Sequence, residues 1–214
     1  MNITGPKVIV DALAEPLTIE QCRTHLQAAA YGDSTLDDTD DAYIAALAGA
    51  AREHCEQFLG LSLAQRTLEI ELDEFPTPAN GPAAIELPFG PVLTVDSITL
   101  IDPSPASLLS SSDDTLLDSG TYRLDDYSQP NRVLPVSTWP TVPTGYVIRI
   151  RYLAGYGEDS DGGIPLPMLA RAAIQLMLGH LYEHREEVAE KAMASLPLGV
   201  EALLRPLRVR LGLA

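Results

Sequence analysis

Two histidines and a glutamate near residue 180 have the spacing of a zinc-hydrolase motif. His180 and His184 lie one helical turn apart with Glu183 beside them, which matches the inverted zincin pattern H-x-x-E-H. Catalytic zinc also requires a third protein ligand and an open position for water. The next carboxylates follow too closely on the same predicted helix to supply that ligand; they are Glu186, Glu187 and Glu190. We therefore interpret the match as polar residues near the exposed end of a helix, with a metal-dependent hydrolase as the alternative.

No other pattern typical of catalysis or cofactor binding occurs in the sequence. The acidic runs at residues 33–41 and 158–161 lack the glycine and glutamate positions of an EF-hand loop. There is no G-x-S-x-G elbow, phosphate loop or dinucleotide fingerprint. Cys22 and Cys55 each fall on the apolar stripe of a predicted helix, which favours buried thiols, and Trp139 in a proline-rich turn is typical of a packing anchor. We therefore expect no enzymatic activity and no cofactor.

The composition is strongly acidic. The 214 residues include 30 Asp and Glu against 14 Lys and Arg, which gives a net charge of −16. Tight binding to a nucleic-acid backbone requires clustered Lys and Arg, so the composition argues against it. The charge favours solubility, a surface that repels DNA, or a surface that docks onto a basic partner. We expect no membrane-spanning segment and no secretory leader, because no apolar run has the necessary length or flanks.

Helical patterns occur towards both ends of the chain. Thr18 and Gln21 form a capping box for a first helix. A second helix follows the acidic run, with apolar residues at three-four spacing and Gly60 as its C-terminal stop. A proline-led helix runs from about residue 165 to about residue 187, and a last short helix spans about residues 200–204.

The middle of the chain has the two-residue period of β-strands. Apolar and polar residues alternate from Thr67 to Leu72 and again from Tyr146 to Tyr152. If these strands pair, two carboxylates of the first lie opposite two guanidinium groups of the second, a favourable cross-strand arrangement. The residues concerned are Glu69, Glu71, Arg149 and Arg151.

A third long strand is predicted from Val92 to Ile101, with a change of apolar phase that indicates a bulge near Asp96 and Ser97. Shorter strands are predicted at residues 85–88, 122–124 and 132–134. The serine- and proline-rich residues 103–112 indicate an exposed loop.

These patterns predict an α+β fold in which helices from both chain ends pack together, with an antiparallel β-rich insertion in the middle. The N-terminal helices occupy residues 1–62, the β-rich insertion residues 63–157, and the C-terminal helices and tail residues 158–214. We expect the two helical segments to form one domain.

The chain also carries short motifs in a fixed order. They are Leu17-Thr-Ile-Glu-Gln-Cys-Arg-Thr-His-Leu26, Ala50-Ala-Arg-Glu-His-Cys-Glu-Gln-Phe-Leu-Gly60, Leu87-Pro-x-x-Pro91-Val, Tyr122-Arg-Leu, Arg132-Val, Trp139-Pro140, Arg151-Tyr-x-x-Gly-Tyr-Gly157, Tyr182-Glu-x-Arg185-Glu and Leu196-Pro-x-Gly-Val-x-x-Leu-Leu204-x-Pro206-x-Arg208. In this order they resemble the head–tail connector (adaptor) proteins of tailed bacteriophages, which also occur in prophages and gene transfer agents. The resemblance covers roughly residues 17–208, and the order is more specific than any single motif.

The resemblance implies a structural virion protein made in the host bacterial cytoplasm and located in the neck. Such proteins form a homo-oligomeric ring, commonly a dodecamer, below the portal protein. The ring extends the DNA channel and provides the attachment surface for the tail. The implied partners are the portal, a tail-side neck, stopper or tail terminator protein, and double-stranded DNA that passes without tight binding. A different oligomeric neck or baseplate scaffold is a further alternative.

The resemblance also implies that the C-terminal segment, about residues 196–214, docks onto the portal. Its cationic and apolar residues are the docking candidates; they are Leu196, Val200, Leu203, Leu204, Arg205, Arg208 and Arg210. In this family the histidine positions beside Tyr182 and Glu183 need not be histidine, so the family pattern accounts for the zincin-like match without a metal.

Overall fold

A computed structural model describes residues 3–12, 14–29, 40–77, 83–102, 114–157, 163–184 and 197–208. The chain divides into two compact units. The β unit contains the described residues of Met1–Leu13 and Gln65–Gly155, and the helical unit contains those of Ala14–Ala64 and Tyr156–Arg210. No helix in these described ranges is long and apolar enough to cross a membrane.

The helical unit has four α-helices within its described residues: α1 (Ile19–Ala29), α2 (Asp41–Leu59), α3 (Met168–Glu183) and α4 (Leu198–Leu204). The predicted capping box forms at the start of α1. The Gln21 amide donates to Thr18 Oγ1 and the Thr18 amide donates to Gln21 Oε1, each at 3.2 Å. α2 ends at the predicted stop, because Gly60 adopts a left-handed φ of 70° that strains any residue with a side chain.

The apolar faces of these helices share one core. α3 packs against α1, α2 and α4, so helices from both chain ends lie together, as predicted. Both thiols lie in this core, each fully buried. The largest contributions come from residues at three-four spacing; they are Ile44, Leu47, Ala51, Cys55 and Leu59 of α2 and Ala170, Ala173, Ile174, Met177, Leu178 and Leu181 of α3.

The β unit has eight strands within its described residues, all paired antiparallel. They are β1 (Ile3–Val10), β2 (Arg66–Leu72), β3 (Ile85–Glu86), β4 (Val92–Ile101), β5 (Thr115–Leu116), β6 (Tyr122–Asp125), β7 (Arg132–Pro135) and β8 (Val147–Ala154). They form a five-stranded sheet in the order β1-β2-β8-β4-β5 and a three-stranded sheet in the order β3-β7-β6. The predicted α+β class is confirmed.

The predicted pairing of two charged strands is also confirmed. β2 and β8 place Glu69 opposite Arg151 and Glu71 opposite Arg149. Arg151 Nη2 lies 2.9 Å from Glu69 Oε2, and Arg149 Nη2 lies 2.7 Å from Glu71 Oε1. The alternate residues of the same strands point into the core, because successive side chains of a strand face opposite sides of the sheet.

The second core of the molecule lies on that inner face of the five-stranded sheet. Its members include Ile70, Ile98, Ile148, Ile150 and the ring of Tyr152. The Tyr152 hydroxyl donates to the Pro88 carbonyl at 2.8 Å, which satisfies the one polar atom of that side chain. The predicted bulge is present, since the register of β4 against β8 shifts between Val95 and Ser97.

Two strands were not expected from the sequence. β1 falls in the segment 1–62, which the sequence assigns to the N-terminal helices, and it pairs with β2 of the β unit. Its register shifts between Thr4 and Lys7, where Gly5 has a φ of +118°, and this break hides the two-residue period that identifies a strand. β5 has only two residues and is too short to show a period. The predicted loop at 103–112 lies outside the described residues.

Candidate functional site

The zincin-like residues lie at the C-terminal end of α3. The His184 ring nitrogen Nδ1 lies 2.9 Å from the His180 carbonyl oxygen, so it hydrogen-bonds to the backbone of the preceding turn. The two imidazole centroids are 4.4 Å apart. Within the described residues, no group of three or more His, Cys, Asp or Glu side chains is arranged to hold a metal ion. The described residues therefore supply no third zinc ligand. Glu186, Glu187 and Glu190 lie outside the described residues.

The neighbouring tyrosine of the family pattern has a packing role. Tyr182 is partly buried against the helical core, and its ring centroid lies 6.5 Å from that of Tyr43 on α2, at an interplanar angle of 50°. Such tilted aromatic pairs stabilise helix–helix contacts. The C-terminal end of α3 therefore packs against α2 through Tyr182, and His180 and His184 lie beside this contact.

The cysteines lack the environment of a nucleophile. Burial raises the pKa of the Cys55 thiol to about 12, with the charge of Glu56 acting in the same direction. Burial and then the Glu15 carboxylate raise the pKa of Cys22. A thiol with a raised pKa is protonated near neutral pH and reacts slowly. Both residues act as small apolar side chains of the core.

Two of the docking candidates belong to the core of the helical unit. Val200 is 1% exposed and Leu204 is fully buried, because α4 is amphipathic and turns this i, i+4 pair towards its neighbours. Leu203 is partly buried against the same core. Leu196 and Arg210 lie outside the described residues. In this structure Val200 and Leu204 therefore have a packing role and present no surface to a partner.

The cationic candidates are at the surface. The Arg205 side chain is 75% exposed, and its Nη2 lies 2.8 Å from Glu201 Oε1 one turn earlier on α4. Arg208 is exposed, with its guanidinium carbon 5.0 Å from the centroid of the Phe58 ring. Leu198, at the start of α4, is 85% exposed. The described part of the C-terminal segment thus presents one large apolar side chain and two guanidinium groups.

Most arginines whose contacts are resolved lie against carboxylates. Ion pairs join Arg23 to Asp41, Arg52 to Glu15 and Glu56, Arg132 to Asp125, Arg149 to Glu71, Arg151 to Glu69 and Arg205 to Glu201. A paired guanidinium group has its charge offset locally and offers little attraction to a phosphate. Since the chain has an excess of acid, these pairs leave its surface predominantly anionic.

An aromatic pair in the β unit was only partly anticipated. Trp139 stacks on Phe75 with ring centroids 4.6 Å apart and an interplanar angle of 1°. Its Nε1 donates to the Ala83 carbonyl at 2.6 Å. The pair borders a cavity of about 540 Å³ that is also lined by prolines and threonines of residues 134–142. The proline-rich sequence around Trp139 indicates a packing anchor. Its partner Phe75 is distant in the sequence, and no local pattern predicts the contact between the two rings.

Comparison with known proteins gives likeness in structure alone. No protein-family model matches the chain, and no curated protein matches it in sequence. A chain from the neck of an empty GTA particle computed with C6 symmetry matches over 100% of this chain and 98% of its own length, with a TM-score of 0.74 and 23% identity. A chain from the virion of a native gene transfer agent (GTA) particle has a TM-score of 0.69, also at 23% identity, with coverage of 100% of this chain and 98% of that one.

A third structure, the neck of a native GTA particle computed with C12 symmetry, contains a chain with a TM-score of 0.67 at 23% identity. It covers 99% of this chain and 98% of its own length. These matches extend over both units of the fold. The protein therefore shares its fold, along its whole length, with chains of gene transfer agent necks and virions, in agreement with the connector resemblance found in its sequence.

Proposed function

We propose that the protein is a structural, non-enzymatic component of a virion neck that forms a homo-oligomeric ring below the portal. The observation that carries this proposal is the full-length likeness to chains of gene transfer agent necks. The order of sequence motifs supports the same conclusion independently. In this role the ring extends the DNA channel and provides an attachment surface for a tail-side stopper or terminator protein.

The symmetry of the neck structures supports a cyclic assembly. The two neck particles were computed with C6 and with C12 symmetry. A closed ring of identical subunits uses one heterologous interface repeated around an axis, so each subunit needs two different, complementary patches. We propose a dodecamer for this chain.

The charge distribution supports passage of DNA without tight binding. Phosphate binding strengthens with each unpaired Lys or Arg at the surface, whereas here most arginines whose contacts are resolved are offset by carboxylates within an acidic chain. A channel wall with net negative charge repels the DNA backbone and leaves the packaged genome free to move. We propose that the wall of the channel is anionic; a ring whose lumen is lined by unpaired cations contradicts this assignment.

We propose that the portal contact of the C-terminal segment uses its exposed residues Leu198, Arg205 and Arg208. Leu198 supplies apolar area, and Arg208 supplies a guanidinium group for charge-assisted hydrogen bonds to a portal carboxylate. Arg205 supplies a second one, because its surface pair with Glu201 is weak and can be exchanged for a portal carboxylate. Val200 and Leu204 hold α4 in place, so that these three residues keep a fixed arrangement.

Electron microscopy of the purified protein mixed with its portal tests the proposed function. We expect rings that cap the portal, with twelve subunits by native mass spectrometry. A portal preparation alone is the control for the shape of the uncapped particle. Persistent monomers without portal association contradict the proposal, and rings that bind another component but never the portal favour a different neck or baseplate scaffold.

A further inference from the structure

The outer face of the five-stranded sheet carries a row of polar residues that crosses its four long strands and is charged on three of them. The antiparallel registers align Lys7 of β1 with Glu69 of β2, Glu69 with Arg151 of β8, and Arg151 with Ser97 of β4. Because residues in register lie on the same face, these side chains form one row perpendicular to the strands. The row begins with a cation at the β1 edge.

The charged side chains in the middle of the row are already paired with one another. Glu69 is only 7% exposed, and its two carboxylate oxygens lie 3.3 Å from Arg149 Nε and 2.9 Å from Arg151 Nη2. Lys7 at the edge is different: it is exposed, and among the residues that the structure describes none forms an ion pair with it. The row therefore leaves one cation available at the β1 edge of the sheet.

The opposite edge ends in an anion. β5 aligns Leu116 with Thr99 of β4, and the Leu117 amide donates to the Ile98 carbonyl at 2.9 Å, which continues the same register. Asp118 follows and so lies at the end of the row, beyond Ser97. It is exposed; its side-chain Oδ1 accepts the Gly120 amide at 2.7 Å, and its carbonyl oxygen accepts the Thr121 amide and hydroxyl.

Both edges also have exposed apolar side chains. β1 and β5 are the outermost strands of the sheet, so each has one side without a partner strand among the described residues. Val8 and Val10 on β1 are 43% and 48% exposed, and Leu116 on β5 is 65% exposed. Edge strands of this kind are templates for pairing with another chain unless they are covered.

We propose that these two edges are the complementary patches through which copies of this chain join, with the Lys7 edge of one copy beside the Asp118 edge of the next. This inference rests on the proposed ring. The charge row then continues from copy to copy with alternating sign, Asp118 meets Lys7, and the exposed valines and Leu116 become covered. The contact is heterologous, as a cyclic ring requires, because the two edges differ. The occupant is a second copy because one chain presents both halves of the complementary pair.

Disulfide trapping distinguishes contacts between copies from contacts within one. Lys7 lies on β1 and Asp118 lies two residues after β5, and these two strands are four strand spacings of about 4.8 Å, or roughly 19 Å, apart within one sheet. A disulfide requires Cα atoms within about 7 Å. A bond between K7C and D118C therefore has to join two copies. The native thiols, Cys22 and Cys55, are fully buried and do not compete.

The experiment oxidises the K7C/D118C double variant in the presence of the portal and separates the products on a denaturing gel. We expect a ladder of covalent oligomers up to the full ring, and at most dimers from either single variant. K7C/Y127C is the matched control, since Tyr127 is 95% exposed on the same unit but lies outside the row; we expect no ladder from it. Circular dichroism of each variant establishes that it is folded.

Charge variants give a second readout. We expect K7E and D118N each to reduce ring formation severalfold, D118N being chosen because its amide oxygen still accepts the Gly120 amide. Rings that form normally without a K7C/D118C ladder, and with unaltered assembly of K7E and D118N, overturn this inference and leave the proposed function intact. Failure of the wild-type protein to form rings overturns the proposed function and this inference together.

Discussion

Arg52 and Glu56 form a buried ion pair one turn apart on α2, with Nη1 and Oε2 2.8 Å apart and side chains only 4% and 3% exposed. The pair is part of a closed network. Glu56 Oε1 accepts the Leu63 amide at 2.7 Å, and Arg52 Nε and Nη2 donate to Glu15 at 2.8 and 3.2 Å. Burial alone would lower the pKa of Arg52, but the hydrogen bond to Glu15 and the charges of Glu56 and Glu15 outweigh it and raise that pKa.

Removing the arginine of this network should destabilise the helical unit strongly. Arg52→Met leaves the buried Glu56 carboxylate without its guanidinium partner, and breaking a buried pair in this way costs about 3 kcal/mol. Urea unfolding of the variant and the wild type measures the difference. Arg205→Met is the control, because it removes a surface pair of the same i, i+4 spacing and the same 2.8 Å distance, in the reverse order along the helix, where the loss is below about 0.5 kcal/mol. Equal losses in the two variants would show that the Arg52 pair is not effectively buried.

Substitutions in the C-terminal segment should distinguish residues that stabilise the fold from residues that bind the portal. Leu204→Ala creates a cavity in the helical core and should lower the free energy of unfolding by about 2 to 5 kcal/mol. Arg205→Glu should leave stability within about 0.5 kcal/mol of the wild type but weaken portal binding, measured by surface plasmon resonance. If Arg205→Glu binds the portal as tightly as the wild type does, the assignment of this arginine to the docking surface is wrong.

The ion pair of Asp125 should make stability depend on pH in the acid range. The hydroxyl of Ser128 and then the guanidinium of Arg132 lower the pKa of Asp125 to about 2. Because the folded pKa lies below the unfolded value, the stabilisation is complete above about pH 4 and is lost as pH falls towards 2. Thermal melting of Asp125→Asn should therefore show a lower Tm than the wild type at pH 7, with a difference that shrinks between about pH 4 and pH 2.

Ser128→Ala provides the check on the cause. It removes the largest contribution to the lowered pKa, so the acid transition of that variant should move to higher pH than in the wild type. A Tm difference between Asp125→Asn and the wild type that stays constant from pH 7 to pH 2 would contradict the role of this carboxylate.

The purified protein should contain no stoichiometric zinc. His180 and His184 have no third ligand among the described residues, and catalytic zinc requires three protein ligands. Elemental analysis of the wild type and of His184→Ala, each dialysed against trace zinc, measures the occupancy. One zinc per chain in the wild type that disappears in His184→Ala would favour the metal-dependent hydrolase.

Local chemistry explains which parts of the fold could be predicted. The pairing of Glu69 with Arg151 was predictable because each strand has a clear two-residue period and the charges occupy matching positions. The capping box of Thr18 and Gln21 depends on residues three apart, so it too can be recognised in the sequence. These features require no knowledge of distant contacts.

Contacts between distant residues explain what could not be predicted. Val200 and Leu204 are apolar residues of the C-terminal segment, and they are buried because α4 packs against the other helices. The sequence of the segment does not indicate where α4 packs. Phe75 and Trp139 are 64 residues apart in the sequence, and the residues around each of them do not indicate that the two rings stack. β1 was missed because its break at Gly5 removes the period and its partner β2 begins more than fifty residues later.

The position of β1 has a consequence for the order in which the protein folds during its synthesis. β1 leaves the ribosome before the other elements described, but its partner β2 follows only after α1 and α2 have been made, and the central strand β8 comes later still. α1 and α2 in turn wait for α3, which lies beyond β8. The β unit therefore cannot complete its sheet until β8 has been made at about residue 154, and the helical unit cannot complete its core until α3 has been made at about residue 183. The nascent chain exposes apolar strand and helix faces until these late elements are present, so both units form only after most of the chain has been synthesised.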